Sequence, residues 1–227
     1  MGAIEYIADE DRKAGERRLG EKLGGLLGAG KRVLWLVSGG SNIDAAVRVM
    51  DGLAESKLEK LTVMLMDERY GAVGHADSNW AQLLEAGLKA RRARTVPVLT
   101  EGAGIGETTN KFAASAEQEF QQAEVVIGQF GMGADGHTAG ILPNSPATTD
   151  DQVWAVYYDG GQYQRITLSL YALRKVDAAY LLAYGADKSD QLQTFCNQEL
   201  SITDQPVQLL KAIPRTYVFN EVMKERA

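Results

Sequence analysis

Residues 33–42, VLWLVSGGSN, decide the fold class, because five consecutive apolar residues end abruptly in a short polar loop. An uninterrupted apolar run predicts a strand that is buried on both faces, as in a parallel sheet. Similar runs recur along the chain between helical patterns, which predicts an α/β fold with helices on both faces of the sheet. The predicted strands cover residues 33–37, 61–66, 96–99, 125–127, 153–157, 165–170, 179–184 and 216–219, and the predicted helices cover residues 42–53, 79–90, 107–122, 187–197 and 207–211.

The connections between these elements complete the fold prediction. Asp159-Gly160-Gly161-Gln162 lies between two predicted strands and is typical of a hairpin turn, so one pair of strands should be antiparallel. The roughly thirty residues before the first strand have the pattern of one amphipathic helix. Because no repeat or linker interrupts the pattern, residues 1–227 are predicted to form a single α/β domain with a largely parallel, twisted, Rossmann-like sheet.

The composition is that of an ordinary globular protein with an excess of acidic residues. The chain has 24 basic and 30 acidic residues, a net charge of −6, and no block of basic residues. This balance argues against binding to nucleic acid or to a membrane surface. The single cysteine, Cys196, cannot form an internal disulfide and is more typical of an apolar filler than of a nucleophile. No apolar signal segment is present, so we expect a cytoplasmic protein.

A first polar cluster, Ser38-Gly39-Gly40-Ser41-Asn42, follows the first strand and opens a helix. Adjacent glycines let the backbone approach an anion closely, and the N–H groups at the start of a helix point toward it. Neither G-x-G-x-x-G nor the P-loop pattern is present, which disfavours a dinucleotide or a nucleoside triphosphate. A plain loop with a Ser or Asn cap explains the same residues equally well.

A second polar cluster, Asp67-Glu68-Arg69, follows the second strand. Ligands of parallel sheets bind at the carboxyl ends of the strands, so these charges are candidates for a site. A solvated corner is the alternative interpretation. Farther along, Ser78 is a candidate cap for the next helix, and His75 in the intervening loop is assigned no role.

The third cluster, residues 131–140 (GMGADGHTAG), is the most specific. Its glycines indicate unusual backbone angles or close approach to a ligand, and Asp135 and His137 flank one of them. A histidine beside a carboxylate suits general acid–base chemistry near neutral pH. Further metal ligands at suitable spacing are not evident, and the G-x-S-x-G pattern of serine hydrolases does not occur. The cluster therefore favours a histidine base without a metal.

Together, the three clusters resemble the motifs of the 6-phosphogluconolactonase family, which shares its fold with glucosamine-6-phosphate deaminases. Residues 165–168 (RITL) and 185–188 (GADK) resemble the family's next two motifs, so the resemblance covers roughly residues 10 to 190. Asn42, Gly71 and Gly140 stand where the family commonly has other residues, and all three lie beside the predicted site. The resemblance implies a glucosamine-6-phosphate deaminase-like fold.

The resemblance implies hydrolysis of 6-phospho-D-glucono-1,5-lactone to 6-phosphogluconate in the oxidative pentose phosphate pathway, without metal or other cofactor. His137 would activate water, and Asp135 would orient its ring. Asp67 and Arg69 would face the lactone, with Arg69 stabilising the developing negative charge.

The phosphate of such a substrate would be bound at the other end of the site. The resemblance assigns it to the loop Ser38–Ser41, to Arg165 and to Lys188. Without the resemblance, Arg165 is typical of a charged strand edge and Lys188 of an exposed helix start. The expected partner is a small sugar-phosphate lactone, and the sequence sets no oligomeric state.

Two other functions remain open at this point: an enzyme like glucosamine-6-phosphate deaminase or isomerase, and a non-catalytic sugar-phosphate sensor. The deaminases resemble this chain but carry a glutamate five residues after the histidine, where this sequence has Leu142. They usually also have Asp-Glu-Tyr where this sequence has Asp67-Glu68-Arg69. Sensors of this fold normally carry a helix-turn-helix segment, which the first thirty residues do not resemble. These differences favour the lactonase.

Overall fold

The computed structural model describes residues 2–149 and 152–221, so the ends of the domain predicted over residues 1–227 lie outside the described residues. The strands are β1 (Ala3–Ala8), β2 (Val33–Val37), β3 (Leu61–Leu65), β4 (Asp67–Arg69), β5 (Arg94–Val96), β6 (Val125–Phe130), β7 (Ala155–Asp159), β8 (Gln164–Leu168), β9 (Ala178–Leu182) and β10 (Arg215–Asn220). The α-helices are α1 (Ala14–Gly28), α2 (Ile43–Gly52), α3 (Asn79–Glu85), α4 (Ile105–Gln122), α5 (Leu170–Leu173) and α6 (Ser189–Asn197).

Seven strands form a parallel sheet in the order β1-β10-β9-β6-β2-β3-β5. All five residues of β2 are buried near the middle of this sheet, as its uninterrupted apolar sequence predicts. Strands β4, β8 and β7 form a second, antiparallel sheet. The predicted α/β class with a largely parallel sheet is confirmed.

The two longest helices each bury one apolar stripe. Helix α1 buries Leu19, Leu23 and Leu27, spaced four residues apart, and packs against β2, β9 and α2. Helix α4 packs against β7 and β8 of the small sheet. Cys196 is half-buried and contacts the core, in agreement with the filler interpretation. None of the helices within the described ranges is long and apolar enough to cross a membrane.

Several predicted element bounds are wrong, and each has a local cause. The first residues form an edge strand, β1, before α1, because their alternating exposure suits one covered face and parallel pairing with β10. The strand predicted at 96–99 lies at Arg94–Val96, since Pro97 has no N–H for the sheet. The helix predicted at 79–90 ends at Glu85, and Gly87 then adopts a φ of +101°.

The chain changes sheets at Met66, between β3 and β4. The Met66 N–H donates to Val37 O of the large sheet, and Met66 O accepts from the Leu168 N–H of the small sheet. This change moves the second polar cluster into the small sheet. The predicted hairpin is confirmed as β7–β8, with Gly161 at a φ of +84° in its turn. The pairing of β4 with β8 is a second antiparallel contact that the sequence pattern did not indicate.

Candidate active site

A cavity of about 400 Å³ opens where the polar loops following β2, β6 and β9 meet the small sheet. It therefore lies at the carboxyl edge of the large sheet, where ligands of parallel sheets bind. All the residues predicted from sequence for the site line this cavity, except Asp135, which lies behind His137. The lining residues are Ser38, Gly39, Gly40, Ser41, Asp67, Arg69, Asn79, Gly131, Met132, Gly133, Ala134, His137, Ala139, Gly140, Arg165, Asp187 and Lys188.

The loop between β2 and α2 requires each of its two glycines for a different reason. Gly40 has a φ of +69°, which glycine adopts at little cost. A Cβ at Gly39 would lie 2.0 Å from Asn79 Oδ1, so only glycine fits this close approach. Because α2 begins directly after this loop, its N-terminal N–H groups and helix dipole favour an anion there.

Asn42, one of the departures from the family pattern, fastens this loop to the large sheet. Its buried side-chain amide donates to Phe130 O at 3.1 Å and to Leu182 O at 3.3 Å. These carbonyls close the ends of β6 and β9, so Asn42 holds together the strands that present the other site loops. The substitution therefore has a structural role beside the cavity rather than in its lining.

Lys188 extends its ammonium group to the same loop. The turn Ala186–Lys188 precedes α6, and Lys188 Nζ donates to Ser41 Oγ at 3.2 Å. Burial lowers the pKa of Lys188 below its ordinary value, and the nearby Asp187 carboxylate partly opposes this shift. The lysine is thus a buried cation beside a helix N-terminus, an arrangement suited to a phosphate.

The pairing of β4 with β8 sets three charged groups on one face. Asp67 lies opposite Thr167 and Arg69 lies opposite Arg165, so alternation along the strands places all four side chains together. Arg165 Nη1 lies 4.0 Å from Asp67 Oδ2. Burial raises the pKa of Asp67 above its ordinary value, while Arg165 and Arg69 oppose that shift. The two arginines that flank Asp67 therefore favour its ionised form against the effect of burial.

The two arginines keep donor groups available to a ligand. Arg69 Nη1 donates to Asp77 O at 2.8 Å. Within the part of the chain that the structure describes, the buried Nε atoms of Arg69 and Arg165 have no hydrogen-bond partner. Both residues also line the cavity, where a guanidinium group can donate charge-assisted hydrogen bonds to an anionic ligand.

Asp67 is fixed in place from two sides. Asn79 Nδ2 donates to Asp67 O at 2.9 Å and to Asp67 Oδ2 at 3.3 Å. Gly140, another departure from the family pattern, has a φ of +68°, and a Cβ there would lie 2.6 Å from Asp67 Oδ2. The glycine therefore leaves room for the carboxylate.

The side chain of Glu68 lies on the face of β4 opposite to Asp67 and Arg69, where it binds the first residues of α3. Its carboxylate accepts from the N–H groups of Arg69 at 2.7 Å, Asn79 at 2.6 Å and Trp80 at 3.0 Å, and from Ser78 Oγ at 2.9 Å. Ser78 caps α3 as predicted, by accepting from the Ala81 N–H. This buried carboxylate holds Asp67, Arg69 and Asn79 in register.

Gly71, the third departure, accommodates the only other histidine of the chain. A Cβ at Gly71 would lie 2.9 Å from the His75 ring, and His75 Nε2 lies 3.0 Å from Arg69 O. His75 therefore braces the loop behind Arg69 and does not line the cavity.

Asp135 and His137 form a hydrogen-bonded pair at the cavity wall. His137 Nδ1 lies 2.6 Å from Asp135 Oδ1, and this contact lowers the pKa of Asp135 to about 2. An ionised carboxylate can only accept a hydrogen bond, so Nδ1 carries the proton of the neutral ring. Nε2 is then the ring nitrogen that can take up a proton. This is the tautomer that a general base requires.

The glycine-rich turn makes this pair possible. Gly136 has a φ of +82°, and Gly133 forms two backbone hydrogen bonds across the turn, to His137 O at 2.9 Å and from the Gly136 N–H at 3.0 Å. A Cβ at Gly133 would lie 2.1 Å from His137 Nδ1 and 2.7 Å from Asp135 Oδ1. The ring therefore rests directly on a bare backbone. Sequence reasoning identified the turn but not this close packing.

Comparisons with known proteins agree with this geometry. Residues 9–218 match the model of the family described as glucosamine-6-phosphate isomerases/6-phosphogluconolactonase. The chain belongs to this family. The match extends from before α1 into β10 and includes every residue predicted for the site.

Individual members of the family are recognisable relatives. The chain is 31% identical to the 6-phosphogluconolactonase of Pseudomonas aeruginosa over 205 residues, 82% of this chain and 80% of that protein. It is 32% identical over 143 residues to the 6-phosphogluconolactonase of Helicobacter pylori strain J99, spanning 60% of this chain and 61% of that protein's length. The structure of a 6-phosphogluconolactonase from Shewanella baltica superposes with a TM-score of 0.80 at 21% identity, covering 97% of this chain and 98% of that chain. This likeness establishes the fold.

Two residues in or near the site were missed by the sequence analysis. Asn79 stands beside the helix cap Ser78, and only its bonds to Asp67 reveal its place in the cavity wall. Tyr163 lies outside the cavity lining, at the hairpin tip, where a polar sequence gave no signal for a site. No cluster of three or more histidine, cysteine or acidic side chains suited to a metal occurs among residues 2–149 and 152–221.

Proposed function

We propose that this chain is a cytoplasmic 6-phosphogluconolactonase, which hydrolyses 6-phospho-D-glucono-1,5-lactone to 6-phosphogluconate. The observation that carries the proposal is the Asp135–His137 pair at the wall of a cavity that three cationic side chains also line. Arg69, Arg165 and Lys188 stand there in a chain with a net charge of −6. The names of the relatives support the same reaction.

The reaction begins with a water molecule beside His137. Nε2 takes a proton from the water as its oxygen attacks the lactone carbonyl carbon. The carbonyl oxygen becomes an oxyanion, which the Arg69 guanidinium stabilises. When the tetrahedral intermediate collapses, the bond to the ring oxygen breaks, and His137 returns its proton to that oxygen. The carboxylic acid formed then ionises to the carboxylate of 6-phosphogluconate.

Asp135 and Asp67 have different roles in this scheme. The Asp135 carboxylate holds the productive tautomer of His137 and stabilises the ring while it carries the extra proton. Asp67, fixed by Asn79, faces the sugar ring and accepts hydrogen bonds from its hydroxyl groups. Both carboxylates thereby orient groups and need no change of protonation.

The phosphate would occupy the opposite end of the cavity. The N–H groups and hydroxyls of the loop Ser38–Ser41, the Lys188 ammonium and the Arg165 guanidinium supply the donors. Charge-assisted hydrogen bonds contribute about 1.5–3 kcal/mol each, so each cation should contribute about ten- to one hundred-fold in affinity. Binding at this end would position the lactone carbonyl over His137.

The sibling activity of the family, deamination of an amino-sugar phosphate, has weaker support. Leu142 occupies the position where the deaminases carry a glutamate, and its N–H donates to Tyr158 OH at 3.2 Å. An apolar side chain there offers no carboxylate for ring opening. Release of ammonia from glucosamine 6-phosphate would decide for the sibling activity.

The deciding assay measures hydrolysis of 6-phosphogluconolactone above its spontaneous rate. We expect His137→Asn to lose about one hundred- to ten thousand-fold in kcat, as removal of a general base does, with affinity for 6-phosphogluconate retained within several-fold. Tyr157→Asn is the control, because Tyr157 is exposed and does not line the cavity, and it should keep kcat within about three-fold.

The substrate's phosphate is tested with two lactones. Arg165→Ala and Lys188→Ala should raise KM for the phosphorylated lactone about ten- to one hundred-fold and change turnover of unphosphorylated gluconolactone little. A wild-type rate equal to the spontaneous rate would refute the proposed function. An unchanged ratio of kcat/KM for the two lactones in both variants would refute the phosphate assignment alone.

A further inference from the structure

The small sheet sets two like charges directly opposite each other. Arg69 on β4 pairs with Arg165 on β8, and both side chains lie on the face that lines the cavity. Like charges at opposed positions of an antiparallel pair repel each other and tend to move apart. Asp67 lies within 4.0 Å of Arg165 but carries only one negative charge for two guanidiniums. Another group must keep both arginines in the cavity when no anion is bound.

Tyr163 occupies the position from which both arginines can be held. It lies two residues before Arg165, at the tip of the β7–β8 hairpin. The centroid of its ring lies 5.5 Å from the guanidinium carbon of Arg69 and 5.9 Å from that of Arg165. One aromatic ring therefore contacts two cations, and each contact is attractive because the ring face is electron-rich.

The tyrosine is itself fixed by the loop that holds Arg69. Tyr163 OH donates to Asp77 Oδ1 at 3.2 Å and accepts from Gln162 Nε2 at 2.9 Å. The backbone carbonyl of the same Asp77 accepts from Arg69 Nη1 at 2.8 Å. The hairpin tip and the loop before α3 are thereby joined around the two guanidiniums.

We propose that Tyr163 is a positioning residue that holds Arg69 and Arg165 in the orientation in which their guanidinium groups face the cavity and receive the anionic groups of the substrate. This inference rests on the proposed function for the identity of the substrate, and on the cavity itself for the anion. Arg69 faces the carbonyl and Arg165 the phosphate, so one ring prepares both ends of the reaction. Tyr163 does not line the cavity and acts through the arginines.

The size of the effect follows from the two ring contacts. A cation–π contact at a partly exposed site shifts an equilibrium by about two- to five-fold, so two contacts together should contribute about ten-fold. Because the ring acts at both arginines, its removal should raise KM through Arg165 and lower kcat through Arg69. A loss of packing at the hairpin tip that left both arginines in place would not raise KM and lower kcat together.

The experiment compares three substitutions that separate the ring from the hydroxyl and from simple bulk. Tyr163→Ala removes the ring, Tyr163→Phe keeps the ring without the bond to Asp77, and Tyr163→Leu keeps apolar bulk without a π face. Tyr157→Ala is the matched control, because Tyr157 belongs to the same hairpin and is 51% exposed. Each protein is measured for its dissociation constant for inorganic phosphate by calorimetry, for kcat and KM with the phosphorylated lactone, and for the line widths of its arginine Nε–H resonances.

We expect phosphate to bind about five-fold more weakly to Tyr163→Ala and Tyr163→Leu, because Arg165 is the only one of the two arginines that binds it, with broadened Nε–H resonances, while Tyr163→Phe stays within about two-fold of wild type. Phosphate affinity within two-fold of wild type in the alanine variant would overturn the proposal. So would a phenylalanine variant as impaired as alanine, or a leucine variant that behaves as wild type. If the alanine variant fails to fold, the comparison of phenylalanine with leucine decides. A wild type without lactonase activity would refute the proposed function, and the phosphate measurements would still decide the role of Tyr163.

Discussion

Replacement of Gly133 by alanine tests the proposed catalytic pair without changing any of its functional groups. The φ of Gly133 lies outside the left-handed region, so its backbone admits alanine without strain. The added methyl group would lie 2.1 Å from His137 Nδ1 and 2.7 Å from Asp135 Oδ1. The whole effect of the substitution should therefore fall on the position of the histidine ring.

The expected loss follows from how far the ring must move. Ordinary contacts of a Cβ begin near 3.4 Å, so the ring or the turn must shift by about 1 Å. A displacement of this size from the reactive geometry costs on the order of one hundred-fold in rate. The shift also breaks the 2.6 Å bond to Asp135, which selects the productive tautomer. We therefore expect kcat to fall by about one hundred-fold or more, toward the value for His137→Asn.

The assay is initial-rate hydrolysis of 6-phosphogluconolactone, corrected for spontaneous opening, together with calorimetric binding of 6-phosphogluconate. We propose that Lys188 and the loop after β2 bind the phosphate, so the affinity should remain within several-fold of wild type. Gly106→Ala is the control, because a Cβ there contacts nothing within 4 Å and lies within helix α4. In the background of His137→Asn, Gly133→Ala should cause no further loss of kcat.

One outcome would refute this reasoning. If Gly133→Ala folds normally by circular dichroism and keeps kcat within three-fold of wild type, the contact between the turn and the imidazole does not control turnover. His137 would then not be the base, or its position would not be critical. A loss that persists in full in the His137→Asn background would equally show that the glycine acts elsewhere.

Three further outcomes are expected. Burial lowers the pKa of Lys188, so as pH rises this lysine loses its positive charge at a lower pH than an ordinary lysine does. The affinity for 6-phosphogluconate, measured by calorimetry, should weaken over that pH range in wild type and persist in Lys188→Arg. The pKa of Asp135 is lowered to about 2, so the stability that this carboxylate contributes is present above its ordinary pKa near 3.8 and is lost as pH falls toward 2. The free energies of unfolding of wild type and Asp135→Asn, measured by urea denaturation, should therefore become equal as pH falls from 3.8 toward 2. Turnover should be unchanged after treatment with EDTA, because the proposed acid–base chemistry uses no metal.

The sequence predicted the parts of the fold and site that depend on local pattern. The buried run of β2, the hairpin turn and the glycine-rich turn around His137 are each encoded by adjacent residues, and the structure has all three. The edge strand β1 was missed because it is half exposed, so its alternation resembles other amphipathic patterns. The bounds of β5 depended on the missing N–H of one proline.

The contacts that assemble the site could not be predicted, because they depend on pairing between distant segments. The opposed positions of Arg69 and Arg165 follow from the register of β4 with β8, which arises only when the chain changes sheets at Met66. In the sequence, Glu68 resembles a surface charge, but in the structure its buried carboxylate accepts four hydrogen bonds. Its partners lie up to twelve positions away, so the local sequence does not indicate them. The roles assigned to the site residues remain predictions for the assays above.

The opposed arginines have a consequence for melting temperature. Their mutual repulsion is present in the empty folded protein and is reduced when the anionic groups of a ligand bind to them. A ligand that binds only the folded state at one hundred times its dissociation constant raises the free energy of unfolding by about 2.7 kcal/mol. For a chain of this size, that corresponds to a rise of roughly 5–10 °C. Stable phosphorylated sugar acids can therefore be ranked by the temperature at which the protein unfolds, without use of a lactone that opens spontaneously in water.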